Sequence, residues 1–243
     1  MSGTIYKAAS GALLQQMRLD MFANNLANVN TAGYKADIPP FSLDNLAYEG
    51  REDAVNDEEL PPMKSRSDFS SGPIVKTDNS LDVAIIGKGL FEVEAPEGTR
   101  YTRKGTFMVN KQGELSTPEG WPVMGQGGPI RVTGSDLQIS DKGEVFVDGT
   151  QVTSLRVVEF DDLTKLQKDG NSLFMASENA RPTPLGADEV QVSQGSFEQS
   201  NVSAIRTMTE IIETVRAFET YQRIMSASDD TTAKLINEVG RSA

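Results

Sequence analysis

The side chains in this sequence that could act as catalysts or metal ligands are two adjacent carboxylate pairs, Asp161 with Asp162 and Asp229 with Asp230. Two carboxylates act as general acid and base, or hold a metal ion, when both point into one cleft. Adjacent residues in regular structure instead point in different directions. The chain also has no histidine and no cysteine, so the commonest general base, a thiolate nucleophile and the usual zinc ligands are missing. We therefore predict no catalytic, cofactor-binding or metal-binding residue, and both pairs are expected to be solvated surface.

Two further features suggest binding chemistry. Gly87 and Gly89 begin a GxGxxG pattern typical of dinucleotide sites, but Glu92 replaces the third glycine and no strand-to-helix unit follows. A tight β turn is the better interpretation. Trp121 could stack on a sugar ring, but a lone tryptophan in a strand-rich segment is expected to belong to the core.

Composition excludes several classes of partner. The 243 residues include 23 basic and 35 acidic side chains, a formal net charge of -12, which repels nucleic acid and anionic membrane surfaces. No run of eighteen or more apolar residues occurs, and the N-terminus lacks the apolar core of a cleaved signal peptide. We therefore expect no nucleic acid, no small-molecule substrate, no membrane span and no cleaved signal peptide.

Both ends of the chain carry apolar side chains at helical spacing. The N-terminal series starts at Ile5 and is interrupted only by Gln15, while a second row beside it widens the stripe. In the C-terminal series Ile205 and Ile212 widen the stripe, Ser203 offers an N-cap, and Glu210 is expected to be exposed outside it. The predicted assembly seam consists of Ile5, Leu19, Phe22, Leu26, Val29, Met208, Ile211, Ile212, Val215, Phe218 and Met225.

The middle of the chain has a different period. Residues 36–72 contain two Pro-Pro pairs and an acidic run at 49–59, which favours an extended segment. From about residue 72 to 195 short alternating runs are separated by turn residues, as in an all-β domain, and EVFVDGTQVT predicts a type I′ hairpin at Asp148 and Gly149. The predicted fold class is α plus all-β. N- and C-terminal helices (1–35 and 196–243) form a coiled-coil-like inner domain, joined through an extended connecting segment (36–72) to a central β-rich domain (73–195).

The stretch MFANNLANVNTAGYKAD, residues 21–37, ends the first helix with many asparagines. In one interpretation Asn30 and Thr31 terminate the helix, Gly33 is its left-handed cap, and the asparagines before them are solvated. In the other, Asn24, Asn25 and Asn28 bond backbone or neighbouring subunits and fix the register of an assembly. We favour the first interpretation for Gly33 and the second for the three asparagines.

Three separated segments carry a family resemblance: ANNLANVNTAGYK, DVAIIGKGLFEV with the strands that follow it, and GSFEQSNVSA with TEIIETVRAFETYQRIM. In this order they resemble the flagellar basal-body rod and hook family, and within it the proximal-rod members, with distal-rod members next. The residues at positions Ile86 and Leu90 differ from those usual in the family, and both are apolar changes in a predicted β core.

The resemblance implies a subunit of a hollow helical rod, with terminal helices as an inner tube and the β domain outside. It implies export by the flagellar type III apparatus without signal cleavage, assembly in the periplasm, and contacts with other rod proteins and copies of the same chain. It also implies an export and assembly motif at Asn24, Asn25, Leu26, Asn28, Thr31 and Gly33. The absence of cysteine suits a chain that stays unfolded in transit to an oxidising compartment.

Three other interpretations compete with a proximal-rod subunit. One is a distal-rod or hook-type axial subunit. Another is a periplasmic peptidoglycan-acting carboxylate hydrolase, which needs two carboxylates about 5 to 9.5 Å apart across a groove. The third is a coiled-coil-stalked fibre or adhesin, which needs one uninterrupted heptad run, whereas the heptads here are split between the two chain ends.

Overall fold

The computed structural model describes residues 2–39 and 66–239, with the side chains of 7–39, 66–231 and 234. These residues form two compact units. The helical unit contains residues up to 27 and from 203 onward, and the β unit contains residues 28–202. The acidic run at 49–59 and both Pro-Pro pairs fall wholly or partly outside the described residues, as do the side chains of Ile5, Ile236 and Val239.

The helical unit consists of α1 (Ser2–Ala27) and α2 (Ala204–Val239), which confirms the two predicted helices. At a rise of about 1.5 Å per residue they extend roughly 39 Å and 54 Å. Gly11 faces Tyr221, and a Cβ atom at Gly11 would lie 2.5 Å from the Tyr221 ring. Arg18 of α1 acts electrostatically on Glu210 of α2. Since 11 lies beside 221 and 18 near 210, the two helices run antiparallel.

The β unit contains nineteen strands in the described residues, most of them short. Their bounds are β1 (Asp37–Ile38), β2 (Arg66–Ser67), β3 (Ile74–Lys76), β4 (Val83–Ile85), β5 (Leu90–Ala95), β6 (Gly98–Thr102), β7 (Met108–Val109), β8 (Leu115–Ser116), β9 (Met124–Gly125), β10 (Gly128–Pro129), β11 (Leu137–Ile139), β12 (Glu144–Val147), β13 (Thr150–Ser154), β14 (Val157–Phe160), β15 (Leu166–Lys168), β16 (Leu173–Ala176), β17 (Pro182–Pro184), β18 (Val192–Gln194) and β19 (Ser196–Glu198). A 3-10 turn, Leu163–Lys165, precedes β15.

The largest sheet is antiparallel with the spatial order β15, β16, β6, β5, β14, β17. A second sheet joins β11, β12 and β13, and the other strands pair two by two. Strands β1 and β2, near opposite ends of the predicted extended segment, pair with each other, and β3, directly after that segment, pairs with β19.

Two hydrophobic clusters form the core of the β unit. The larger is centred on residues such as Phe91, Val93 and Leu115, and Trp121 packs against it, as the sequence predicts. The smaller is centred on the edge-to-face pair Tyr101 and Phe160, whose ring centroids are 4.8 Å apart.

The predicted hairpin at Asp148 and Gly149 is confirmed. Val147 pairs with Thr150, and the two residues between them have φ angles of 49° and 78°. An aspartate followed by glycine suits these positive angles, because glycine has no Cβ and aspartate tolerates the left-handed region.

Candidate assembly and export site

The predicted seam residues differ in exposure. Phe22 is buried, and Met208 and Ile212 are exposed. Val29 is half-buried and belongs to the β unit, whereas the side chain of Ile5 lies outside the described residues. The half-buried members in the helical unit are Leu19, Leu26, Ile211, Val215, Phe218 and Met225.

Three of the exposed apolar side chains form a line on α2, which we call the α2 stripe: Ile205, Met208 and Ile212. Their spacing of three and then four residues places them on one face of the helix. Ile205 is 82% exposed and Ile212 is 53% exposed. Taking such a side chain from full exposure to full burial is worth about 1.5 to 3 kcal/mol, so a partner that covers this face gains part of that free energy at each of the three positions.

The predicted exposure of Glu210 is wrong. It is half-buried, and this burial raises the pKa of its carboxyl group, while Arg206 and Arg18 act in the opposite direction. Because Arg18 belongs to α1, Glu210 lies on the side of α2 that meets α1. A substitution there would change the helix pair as well as the surface charge.

The asparagine-rich motif is divided between the two units. In the helical unit Asn25 is buried and Asn24 is exposed. In the β unit the backbone C=O of Asn28 accepts from the N–H of Thr31, and the Asn28 Oδ1 accepts from the Thr31 hydroxyl, each at 3.1 Å. Since α1 ends at Ala27, the helix stops earlier than the predicted end at Asn30 and Thr31.

Gly33 has the predicted positive φ angle, 64°, for a different reason. It lies well beyond the end of α1, so its predicted role as the helix cap is wrong. Its N–H donates to the Glu198 carbonyl at 2.7 Å, and a Cβ atom here would lie 2.2 Å from the backbone N of Lys104. Glycine is required because two stretches of backbone meet at this point.

A buried ion cluster begins at Lys35, two residues after Gly33, and no pattern in the sequence indicates it. Lys35 Nζ lies 2.6 Å from Glu198 Oε1, with both side chains almost wholly inaccessible at 0% and 1% exposure. The same ammonium donates to the Ser70 carbonyl at 2.7 Å, and the same carboxylate oxygen accepts from the Gly72 N–H at 2.8 Å. Burial lowers the pKa of the Lys35 ammonium, whereas the charge and hydrogen bond of Glu198 oppose that shift.

The third charge of the cluster is the buried guanidinium of Arg103. It donates to the carbonyls of Ile85 and Gly87. Its Nη1 lies 3.4 Å from Glu198 Oε2. That carboxylate oxygen accepts no hydrogen bond among the described residues, so this contact is ionic only. Each of these buried charges meets an opposite charge and at least one backbone group, which offsets part of the cost of removing the charge from water.

Asn201 and Lys168 make further contacts with the residues on either side of Lys35. The Asn201 side chain accepts from the Ala36 N–H at 2.7 Å and donates to the Asp68 carbonyl at 2.8 Å. On the other side Lys168 Nζ lies 4.0 Å from the centroid of the Tyr34 ring and 2.8 Å from Asp37 Oδ2. The segment after α1 is thereby fixed to three separate parts of the β unit.

The candidate catalytic carboxylates have structural partners or lie in solvent. Asp162 accepts from the Thr164 N–H at 3.0 Å and caps the 3-10 turn, while Asp229 and Asp230 are exposed on α2. Gly87 and Gly89 have φ angles of 93° and 108° in a bend between β4 and β5, and a strand rather than a helix follows them. No described helix is long and apolar enough to cross a membrane.

Three family models match the chain in the order of the quoted segments. They are described as flagella basal body rod protein (residues 5–35), flagellar hook protein FlgE/F/G D1 domain (84–147) and flagellar basal body rod FlgEFG protein C-terminal (193–238). The first and third matches contain Lys35 and Glu198, the two partners of the buried ion pair.

Similar curated proteins extend over almost the whole chain. The flagellar basal-body rod protein FlgF of Caulobacter vibrioides is 32% identical over 99% of both chains. The FlgG protein of Agrobacterium fabrum is 30% identical over 92% of this chain and 94% of its own. The flagellar hook-basal body complex protein FlhO of Bacillus subtilis is 30% identical over 98% of both. These matches do not support the alternative of a carboxylate hydrolase. The chain belongs to the flagellar basal-body rod protein family that includes FlgF and FlgG.

Proposed function

We propose that this chain is a structural subunit of the bacterial flagellar basal-body rod, and specifically of its proximal part. It assembles with other rod proteins and with copies of itself into a hollow helical shaft that transmits torque and lets exported subunits pass. The near full-length similarity to proteins named basal-body rod protein FlgF carries this proposal. A distal-rod or hook-type position is the second candidate, because FlgG proteins match over nearly the same length.

The inner tube of this rod would be built from the predicted helical ranges 1–35 and 196–243, in a coiled-coil-like arrangement. The α2 stripe supports this, since its apolar side chains are exposed among the described residues and would gain burial against another subunit. The β-rich range 73–195 would form the outer layer and 36–72 the connection. The whole predicted seam, from Ile5 to Met225, is assigned to contacts within that tube.

We further propose that the chain reaches the periplasm through the flagellar type III export apparatus without a cleaved signal peptide. The motif residues Asn24, Asn25, Leu26, Asn28, Thr31 and Gly33 would serve export or incorporation. The role proposed for the chain is structural, with no catalytic, cofactor or metal site. Its other proposed partners include neither nucleic acid nor a small-molecule substrate.

The test is complementation of a strain that lacks the gene, followed by analysis of isolated basal bodies. The wild-type chain should restore motility and be present in the rod, and side-chain density from cryo-electron microscopy should place it in the proximal part. Density in the distal rod or hook would select the second candidate. A motile null strain with complete rods would contradict the proposed function.

The test of export needs a variant that keeps the buried ion cluster. Deleting residues 23–35 would remove Lys35 and disturb the buried ion cluster, so we replace only the asparagines, Asn24→Ala, Asn25→Ala and Asn28→Ala together. The triple variant should remain in the cytoplasm, or be exported without joining the rod. A triple variant that is exported and incorporated like the wild type would remove any special role for these asparagines.

A further inference from the structure

A cleft of about 700 Å³ opens on the β unit beside β5 and β14. Its apolar floor consists of Leu90, Val158 and Phe160, all buried members of the smaller hydrophobic cluster. Its walls are formed by residues 69–71, 87–89, 159 and 161–163 and by Arg103. The volume lies within the range of about 300 to 1,000 Å³ typical of binding sites, so the cleft can admit several side chains at once.

The rim of the cleft carries three carboxylates, Glu159, Asp161 and Asp162, and the lining also includes two cations, Lys88 and the buried Arg103, which is paired with Glu198. Glu159 pairs with Lys88 at 3.1 Å, and Asp162 pairs with Lys165 at 3.6 Å. Asp161 is exposed and makes no ion pair among the residues that the structure describes. An occupant with apolar side chains and a cation placed next to them would therefore complement both the floor and the rim.

The β7–β8 hairpin of the same unit presents that combination. Met108 and Val109 form β7 and are 44% and 41% exposed, although successive residues of a strand normally put one side chain inward. Lys111 is exposed in the turn that follows, and Arg131 is exposed on the strand segment bridged to Glu114. None of the residues lining the cleft comes from this hairpin, so within one chain the two surfaces do not cover each other.

We propose that the β7–β8 hairpin of one copy docks in the cleft of a second copy, with Met108 and Val109 on the apolar floor and Lys111 beside Asp161. This interface rests on the proposed self-assembly of the subunit. Hairpin and cleft are different surfaces, so the contact is head-to-tail. Such contacts build rings or open helical polymers, whereas a self-complementary patch stops at a dimer.

Disulfide trapping tests this contact directly, because the native chain has no cysteine. Two single-cysteine variants, Met108→Cys and Leu163→Cys, are produced together in the null strain, and isolated basal bodies are oxidised. Leu163 lines the cleft. The matched control replaces Leu163→Cys with Val152→Cys, since Val152 is an exposed apolar residue of β13 outside the cleft. We expect at least about fivefold more cross-linked dimer than in the control, because a disulfide needs Cα atoms about 4.4 to 6.8 Å apart.

A charge exchange tests the polar part of the contact. Asp161→Lys should reduce the cross-link to the control level, and adding Lys111→Asp should restore it. Equal cross-linking of the two cysteine pairs in rods that contain both variants would overturn this interface and leave the rod function standing. A cross-link unaffected by the charge changes would overturn the assigned docking pose. Absence of the cysteine-free parent chain from basal bodies would contradict the proposed function itself.

Discussion

Lys35 Nζ and Glu198 Oε1 lie 2.6 Å apart, although the two residues are 163 positions apart in the chain. Lys35 follows α1 and Glu198 precedes α2. The ion pair therefore holds side by side the two segments through which the chain enters and leaves the β unit. A load applied to either segment meets a buried ionic contact as well as backbone hydrogen bonds.

Lys35→Met tests the contribution of this pair to stability. The change leaves Glu198 buried with only the ionic contact to Arg103 and the Gly72 N–H. Removing one partner of a buried pair typically costs about 3 to 5 kcal/mol, and we expect a loss in this range. Urea unfolding followed by the fluorescence of Trp121, the single tryptophan, reports on the β unit.

The control for this prediction is Lys76→Met, the same replacement at a solvent-exposed ion pair with Asp78. It should leave the urea midpoint almost unchanged. Lys35→Met combined with Glu198→Leu should destabilise by less than the sum of the single changes, since the two residues share one interaction. Strict additivity, or equal midpoints for Lys35→Met and Lys76→Met, would refute the stabilising role of the buried pair.

Gly33→Ala should destabilise the β unit through both its backbone angle and its surroundings. An alanine at φ 64° costs about 1 kcal/mol or more, and its Cβ would also collide with the Lys104 backbone. Gly149→Ala is the matched control, because Gly149 has φ 78° but no atom within 4 Å of an added Cβ. The loss of unfolding free energy should be clearly larger at position 33, and equal losses would mean that close packing contributes nothing there.

Tyr34 gives the β unit a pH dependence in alkali. Burial raises the pKa of its phenol above the ordinary value of 10.0, and the nearby Asp37 carboxylate raises it further. Above that pH the unfolded chain loses this proton while the folded chain keeps it. The phenol therefore stabilises the fold fully below pH 10, and the free energy of unfolding falls as pH rises from there.

The corresponding variant is Tyr34→Phe. Between pH 10 and 11.5 its free energy of unfolding should fall less steeply than that of the wild type, by at most about 1.4 kcal/mol per pH unit. Urea titrations at several pH values measure the slope, and absorbance near 295 nm should show the loss of one late-titrating phenol. Identical slopes for the two proteins would contradict a perturbed Tyr34.

The terminal helices, the β-rich middle and the Asp148–Gly149 hairpin could be predicted because each depends on residues close together in sequence. Helical spacing, strand alternation and positive-φ turn chemistry are local signals. The strand order of the main sheet could not be obtained this way, since β6 pairs with β16 and β5 with β14 across long stretches of chain.

The buried ion cluster could not be predicted from the sequence, for a related reason. Lys35, Arg103 and Glu198 come from three distant segments, and a charged residue considered alone is expected to be exposed. The family resemblance includes the GYK and GSFEQSN stretches, which contain Lys35 and Glu198, but it does not indicate that these two residues are in contact. Gly33 shows the same limit, since its positive φ was predicted correctly while the backbone of Lys104, which explains it, lies far along the chain.

Ile212→Asp tests the assembly seam. Ile212 is 53% exposed in the single chain, so an aspartate there can remain hydrated and the monomer should keep its helices and the Trp121-reported transition of its β unit. In an assembled tube the same carboxylate would have to lose its water without gaining a partner, at a cost of several kcal/mol. Since about 1.4 kcal/mol corresponds to a tenfold change in binding, incorporation should fall far more than tenfold and motility should be lost.

The control for Ile212→Asp must add the same charge to α2 without touching the seam. Glu210→Ala is unsuitable, because Glu210 is half-buried near Arg18 of α1. Thr231→Asp replaces an exposed polar residue that lies about 100° around the helix from Ile212, and it should leave motility intact, since an exposed charge usually contributes less than about 1 kcal/mol. Every copy in the helical polymer would carry the same substitution, so no unchanged neighbouring subunit could compensate for it. Motile cells whose isolated basal bodies contain the Ile212→Asp chain would therefore show that this face of α2 is not buried between subunits.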